Sequence, residues 1–534
     1  MENDSNRSRL RFLSTKDKPF SKSFWTSDTV IMTVMPILYF VLLLVVIRRF
    51  GYFRDELYYI ACSDHPAFGY VDHPPLAMLL LKFVRMILGD SLLALRLLPA
   101  LSGAAFVYLT GRIARELGGN RFAILLATTA AMAPIGNLFL FHIYSMNFLD
   151  LLFWQALILI VIRIIKTGNP RYWLLFGLVA GLGLQNKISI LILCFGIVAG
   201  LLLTPFRKYL AGKHLWLGGV TAGLLFLPYI LWNMSNDWAH LEFIRNARAF
   251  KMAAVSPLEF LKGQILYNNP ATLVLWLAGL GFFFFYRPAR KYRIFGWMFL
   301  TIFVLFTVQQ AKDYYFAGGY PILFAGGAVL IGTWIQSRGW KWIKPVLIAF
   351  ILLPTLFLSP FTLPILSVEQ TIVFHDFLGM SPGTSERKEI GLLSQHYADQ
   401  FGWPEMVAAV DEAFQKLSPE EQRECFIYVR NYGQAGAIDF FGEAHGLPRA
   451  ACSHNSYWLW GPGDVSTEVG IIFGVSHDVE ESLEDLRPYF ESVELGAVFT
   501  CTYCMPYENN RPIIICRGMK ASLRDLWARE KHYN

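Results

Sequence analysis

Five titratable residues stand close together in one short stretch: Asp55, Glu56, Asp64, Asp72 and His73. The stretch reads Arg54-Asp55-Glu56-Leu57-Tyr58-Tyr59, then Val71-Asp72-His73-Pro74-Pro75-Leu76, and it follows the first long apolar run directly. Carboxylates are costly to hold at a bilayer surface, so a cluster there marks a candidate functional site. A carboxylate so placed suits proton abstraction from a hydroxyl as a new bond forms. If the group that departs is a phosphate, cations must lie beside it. Lys187, Lys312, Arg96 and His73 are the cationic or protonatable groups expected at the same surface. Asp150 near the end of an apolar span, and Tyr315 in Lys312-Asp313-Tyr314-Tyr315, join them. A carboxylate near a phosphate can also hold a divalent ion through oxygen. Asp72 is the first candidate ligand, with His240 and Glu242 as further donors. The residues leave metal dependence open, and no organic cofactor is expected.

Each residue also has a structural use. Asp55-Glu56 can cap a helix, and Asp150 another. Asp72-His73-Pro74-Pro75 can be a rigid turn. Lys187 can snorkel to an interface, and Tyr314 and Tyr315 can belong to an aromatic belt. What distinguishes the set is its convergence, which depends on the elements that carry it.

Those elements are apolar. The 534 residues are 54% hydrophobic and 16% charged, with mean hydropathy +0.40, whereas a soluble domain carries about 25% charged residues. Runs near 30–47, 93–111, 122–140, 146–165, 172–186, 188–205, 214–232, 270–286, 294–310, 314–335 and 343–360 read as membrane spans, the fifth and sixth short and sharing a turn. The first lacks a cleavage site and reads as an uncleaved signal anchor. Lys and Arg fall after spans two, four, six, eight and ten and in the N-terminal segment. This predicts a cytoplasmic N-terminus and an outer C-terminus. The net charge of +7 lies in these flanking loops, so no nucleic-acid partner is implied.

The predicted organisation is a cytoplasmic segment (1–28), a membrane domain (29–365) and an extracytoplasmic α/β domain (366–534). Within the membrane domain, outer loops 51–92 and 233–269 should carry interfacial helices. The expected location is the plasma (inner) membrane. Of the seven cysteines, Cys501-Thr-Tyr-Cys504 suggests a structural disulfide first, free thiols second and metal third.

The chain resembles the dolichyl-phosphate-mannose-protein mannosyltransferase superfamily (glycosyltransferase family 39 and relatives, GT-C fold). It is most similar to the bacterial branch that includes the aminoarabinose transferase of lipid A. The matching pieces are Asp55-Glu56, Asp72-His73-Pro74-Pro75-Leu76, Leu95-Arg96-Leu97-Leu98-Pro99, Leu149-Asp150-Leu151-Leu152-Phe153, Gln185-Asn186-Lys187 and Lys312-Asp313-Tyr314-Tyr315 with Tyr320-Pro321. They occur in the family's order over about the first 360 residues. Asn455-Ser456-Tyr457-Trp458-Leu459-Trp460-Gly461 also resembles the tail of some bacterial members. The resemblance implies a GT-C protein of about 11–13 transmembrane helices, with Asp55 as catalytic base and Glu56 as the next candidate. His73, Arg96, Asp150, Lys187, Lys312 and Tyr315 would bind the lipid phosphate or sugar. Asp72 matches a place where some relatives hold a metal. The aminoarabinose branch has Lys where His73 stands and Asp-Glu-Thr-Arg where this chain has Asp-Glu-Leu-Tyr at 55–58, which points to a different donor sugar or acceptor.

The implied activity is a hexosyl or pentosyl transfer from a polyprenyl-phosphate-linked sugar to an acceptor glycan, lipid or protein. The alternative is a transporter or flippase of lipid-linked sugars. Transporters tend to place polar residues at the bilayer midplane on broken helices, often in repeated halves. Here the charged residues sit at span ends and no duplicated half is visible.

Overall fold

The computed structural model describes residues 28–253, 255–379, 382–383, 386–463, 468–474 and 476–534. The basic N-terminal segment predicted to be cytoplasmic lies outside the described residues. The membrane half is a bundle of α1 (Asp28–Val46), α2 (Arg54–Asp64), α3 (Leu76–Leu88), α4 (Leu92–Glu116), α5 (Arg121–Met132), α6 (Ile135–His142), α7 (Met146–Thr167), α8 (Tyr172–Leu184) and α9 (Ser189–Leu202). It continues through α10 (Lys213–Ser235), α11 (Ala239–Asn246), α12 (Pro257–Tyr267), α13 (Leu273–Phe284), α14 (Arg293–Gln309), α15 (Tyr320–Arg338) and α16 (Ile343–Leu358). Among the described residues, seven helical stretches are long and apolar enough to span alone, three further pairs pass as bent spans, and α8 is a shorter apolar helix. Each of the eleven predicted spans therefore contains a helix.

The local chemistry of the chain sets these boundaries. Ser91 and Ser145 accept the amides of Ala94 and Asn147 and so cap α4 and α7. Gly168 ends α7 with φ of 66°. The third predicted span is broken. Pro134 is extended between α5 and α6, and the two halves meet at 68°, since proline cannot continue the hydrogen-bond ladder. Gly177 of α8 lies against Gly218 of α10 so closely that a Cβ would come within 2.0 Å of the Gly218 carbonyl oxygen. Small residues at such crossings let membrane helices touch backbone to backbone.

In the predicted interfacial stretch, α3 buries Ala77, Met78 and Leu81 and exposes Leu79, Phe83, Met86, Ile87 and Leu88. After α16 comes α17 (Val368–Phe377), then α18 (Gln395–Ala398), α19 (Trp403–Phe414), α20 (Pro419–Glu424), α21 (Tyr432–Phe441) and α22 (Ser456–Trp460). The tail sheet has β1 (Cys425–Val429), β2 (Ala450–Cys452), β3 (Val469–Phe473), β4 (Phe490–Phe499) and β5 (Arg511–Met519), in the order β2-β1-β3-β5-β4. The β1 strand pairs parallel with β2 and β3, whereas β5 runs antiparallel to β3 and β4.

The tail is not a separate lobe. One apolar core runs from Tyr39, Leu57 and Phe141 in the membrane half to Val410, Ile438 and Ile513 in the tail. The seam is α21 on α2. A Cβ on Gly436 would meet the Leu57 backbone at 2.8 Å, so only glycine permits the contact.

Candidate active site

The Arg54–Asp64 helix presents two neighbouring carboxylates in opposite settings. Glu56 is fully buried. Its oxygens accept from Phe53 N (2.9 Å), Tyr144 N (2.8 Å), and Arg96 Nε (2.9 Å) and Nη2 (2.7 Å). Arg96, also fully buried, donates further to the Gly51 carbonyl (2.8 Å) and to His142 Nε2 (3.3 Å). This ion pair locks α2 to α4 and to the turn before α7. Glu56, expected as a catalytic candidate, and Arg96, expected to bind substrate, are thus placed in a buried structural pair. Their polar atoms are spent inward, on each other and on backbone.

Asp55 faces the other way, with its side chain 31% exposed. Tyr432 donates to its Oδ1 at 2.9 Å, and no described residue bonds Oδ2. Arg54 Nε lies 3.7 Å from Oδ1. Arg54 itself lies 3.8 Å from Asp399, donates to the Tyr507 hydroxyl at 2.5 Å and sits over the Tyr432 ring. Three partners from the tail thus fix the charge beside the carboxylate.

Lys187 stands in the tight turn between α8 and α9. Its ammonium donates to Asn147 Oδ1 (2.7 Å), lies 3.9 Å from Asp150 and faces the rings of Tyr315 (5.0 Å) and Tyr314 (5.4 Å). Burial pushes its pKa down, while Asp150 works against that. Asp150 is held in turn by Ser189 Oγ at 2.5 Å. Lys312 and Lys251 both lie 3.6 Å from Glu386. Burial raises the Glu386 carboxyl, but Lys251, Arg54 and Lys312 outweigh it and hold the pKa at about 2. Burial lowers the Lys312 pKa, opposed by Glu386, and the fields of Asp55 and Arg54 reach it too. Asp55 lies near enough to Lys312 and Tyr314 for its charge to reach both, and Lys187 faces Tyr314 and Tyr315, so the five form one polar cluster with Asp150 beside Lys187.

A second group lies against it. Asp72 Oδ1 accepts from Tyr58 OH at 2.8 Å and is 3.8 Å from His73 Nε2. His73 Nδ1 donates to the Pro74 carbonyl and His240 Nδ1 to the Val71 carbonyl, both at 3.0 Å. The Nε2 atoms of His73 and His240 are buried without a partner. A carboxylate with two orphaned imidazole nitrogens suits a divalent ion, though no cluster of three or more His, Cys, Asp or Glu with metal-site geometry exists among the described residues.

Sequence reasoning missed the contributions from the tail and from the loop after α11. These are Tyr432, Glu386, Asp399, Tyr507 and Lys251, together with Asn147. One signal was present: Gly433 and Gly436, three apart on a helix, mark a face built for close approach. The Asn455–Gly461 stretch is tied in as well, since Ser456 N donates to Tyr58 OH (3.3 Å) and Val71 N to Ser456 Oγ (3.2 Å). Cys501 and Cys504, expected as a disulfide, are free thiols. The turn between them uses Cys501 Sγ as acceptor for the Cys504 amide at 3.2 Å.

Comparison with known proteins agrees with this architecture. Residues 72–232 match the family model described as dolichyl-phosphate-mannose-protein mannosyltransferase. The whole fold is similar to that of ArnT from Cupriavidus metallidurans in the apo state, with TM-score 0.55 and 14% identity over 91% of this chain and 97% of that one. The same protein bound to undecaprenyl phosphate gives TM-score 0.55 and 13% identity, with 91% and 97% of the two chains covered. No curated protein matches the sequence. The chain is thus a multi-pass membrane protein with a GT-C-like fold, in which residues 72–232, from Asp72 into α10, match the mannosyltransferase family model.

Proposed function

We propose that this GT-C membrane protein moves a sugar from a polyprenyl phosphate to an acceptor hydroxyl, with Asp55 as general base. The observation that carries the proposal is Asp55 itself. One oxygen is held by Tyr432 and the other is left for substrate, in a polar cluster that includes Lys312, Tyr314, and Lys187 over the Tyr315 ring. The acceptor O–H gives its proton to Asp55 Oδ2, and its oxygen bonds to the anomeric carbon. The bond from that carbon to the phosphate oxygen breaks, and the lipid phosphate leaves with the electron pair. Lys187 and Lys312 stabilise the charge of the leaving phosphate. The solved ArnT bound to undecaprenyl phosphate supports a lipid of this kind as partner. The direct test is release of polyprenyl phosphate from a polyprenyl-phosphate sugar by the purified protein. No release with any hexose or pentose donor would overturn the reading.

Lys187→Ala is expected to weaken polyprenyl-phosphate binding by roughly 10- to 150-fold, the weight of a hydrogen bond to a charged group. Thermal stability should fall little. Equal losses in both, or in neither, would assign Lys187 to an interfacial role.

A divalent ion is not required by this reading; if the protein takes one, Asp72 and His240 are its proposed ligands, completed by substrate or water oxygens, since no group of three or more His, Cys, Asp or Glu that could hold one exists among the described residues. Such an ion would supply positive charge near the lipid phosphate. Protein purified without chelator should then carry metal, and Asp72→Ala with His240→Ala should lose it. Metal-free protein whose donor binding is unchanged by EDTA would leave Asp72 as the anchor of Tyr58.

The distribution of Lys and Arg supports an orientation with Asp55 and the tail outside the cytoplasm. A membrane-impermeant protease should reach the tail on cells whose outer barrier is opened. Cleavage only in inverted vesicles would reverse the orientation.

A further inference from the structure

A cavity of ≈ 410 Å³ lies away from the Asp55 cluster, where α2 ends against the tail. Its wall includes His65, Arg423, Asp439, Arg449, Tyr457 and Trp460. His65 caps α2, so the cavity stands about 15 Å from Asp55 along that helix. The His65 ring stacks on Trp460 at 4.2 Å and 14°. Its Nδ1 donates to the Ala61 carbonyl at 3.0 Å, which leaves Nε2 for a ligand. Asp439 is not a ligand-facing acceptor. Its two oxygens accept from Ala450 N (2.9 Å) and Tyr457 OH (2.8 Å). It thereby fixes Tyr457, whose ring meets Trp460 edge-on at 4.7 Å.

What remains is a wall of donors. Arg423 and Arg449 are both exposed, and neither forms an ion pair with a described residue. The Trp460 indole N–H has no hydrogen-bond partner among the described residues. Glu424 is the one acidic group of the lining with open oxygens. The rim, Gly461-Pro462-Gly463, is kept low by two left-handed glycines with φ of 80° and 75°.

We propose that this cavity binds an anionic pyranose, a phosphorylated or carboxylated sugar, belonging to the acceptor. Guanidinium groups recognise phosphate and carboxylate by paired, charge-assisted hydrogen bonds. Indole and phenol rings offer an apolar surface with a polar edge, which suits a sugar ring. The volume falls within the roughly 300–1,000 Å³ of small-ligand sites. The offset from Asp55 puts the bound sugar beyond the reacting hydroxyl, within reach of a short oligosaccharide. The link to the acceptor rests on the transfer reading, but binding of the sugar does not.

The test is calorimetry on the full-length protein in detergent, with glucose 6-phosphate, glucose and inorganic phosphate as probes. Glucose 6-phosphate is expected to bind more tightly than either of the others. The Arg423→Ala/Arg449→Ala double variant and Trp460→Ala should each weaken it by at least about tenfold, with unchanged melting temperatures. Asp55→Asn should bind it as the unaltered protein does. Absence of binding at millimolar sugar phosphate would overturn the proposal, as would binding indifferent to all three substitutions. Loss of binding in Asp55→Asn would move the ligand to the Asp55 cluster and overturn it too. Inorganic phosphate bound as tightly, with no effect of Trp460→Ala, would reduce the cavity to an anion site and remove the sugar. None of these readouts depends on transfer, so failure of the transfer reading would be seen separately.

Discussion

Asp55→Asn is expected to slow sugar transfer by on the order of 10²–10⁴-fold, the usual weight of a positioned base. The amide keeps the shape of the carboxylate and can still accept from Tyr432, which lies 2.9 Å from Oδ1. Folding and binding of the lipid phosphate should therefore survive, and the loss should fall on kcat. Single-turnover measurement with saturating donor separates the two. Near-normal turnover by the purified variant would remove Asp55 from the role.

Glu56→Ala is expected to do the opposite, harming the fold before the chemistry. Removing one partner of a buried ion pair leaves the other charge stranded and costs about 3–5 kcal/mol. Here the stranded group is Arg96, itself fully buried and bonded to Glu56 by two hydrogen bonds of 2.9 and 2.7 Å. The amides of Phe53 and Tyr144 also lose their acceptor. Thermal unfolding in detergent should show the loss. The double change Glu56→Gln with Arg96→Met should be far milder, because no charge is left unpaired. A Glu56→Ala protein of normal stability and no activity would return Glu56 to the catalytic set.

These two carboxylates mark how far the sequence could be followed. Span ends fix depth in a membrane, so Lys187 and Lys312, more than a hundred residues apart in the chain, could be placed at one level with Asp55. The structure brings those three together with Tyr315. Depth alone does not give direction. Asp55 and Glu56 are consecutive on one helix and point to different sides, and only the position of α4 decides which is buried. The inward direction of Arg96 is hidden for the same reason. Its helix end was legible, but the side that end faced was not. The partners from the tail were hidden for another reason. No local pattern links Tyr432 to Asp55, and strand-like runs announce a sheet without saying where it docks. The strands Cys425–Val429 and Val469–Phe473 coincide with short apolar runs of the sequence. The break at Pro134 was legible in principle, since proline inside an apolar run commonly ends a helix.

The Tyr432–Asp55 bond closes across 377 residues of chain, which gives the site a place in time as well as in space. At about 5–20 residues per second, Tyr432 is synthesised roughly 20 to 75 seconds after Asp55. During that interval the helix carrying Asp55 already exists, without the hydroxyl that holds it or the tail residues that fix Arg54. The cluster is finished only when α21 packs its glycine face onto α2. A chain truncated before Tyr432 would hold every membrane helix named above and still lack the hydroxyl that bonds Asp55, so completion of this candidate site waits on synthesis of the tail.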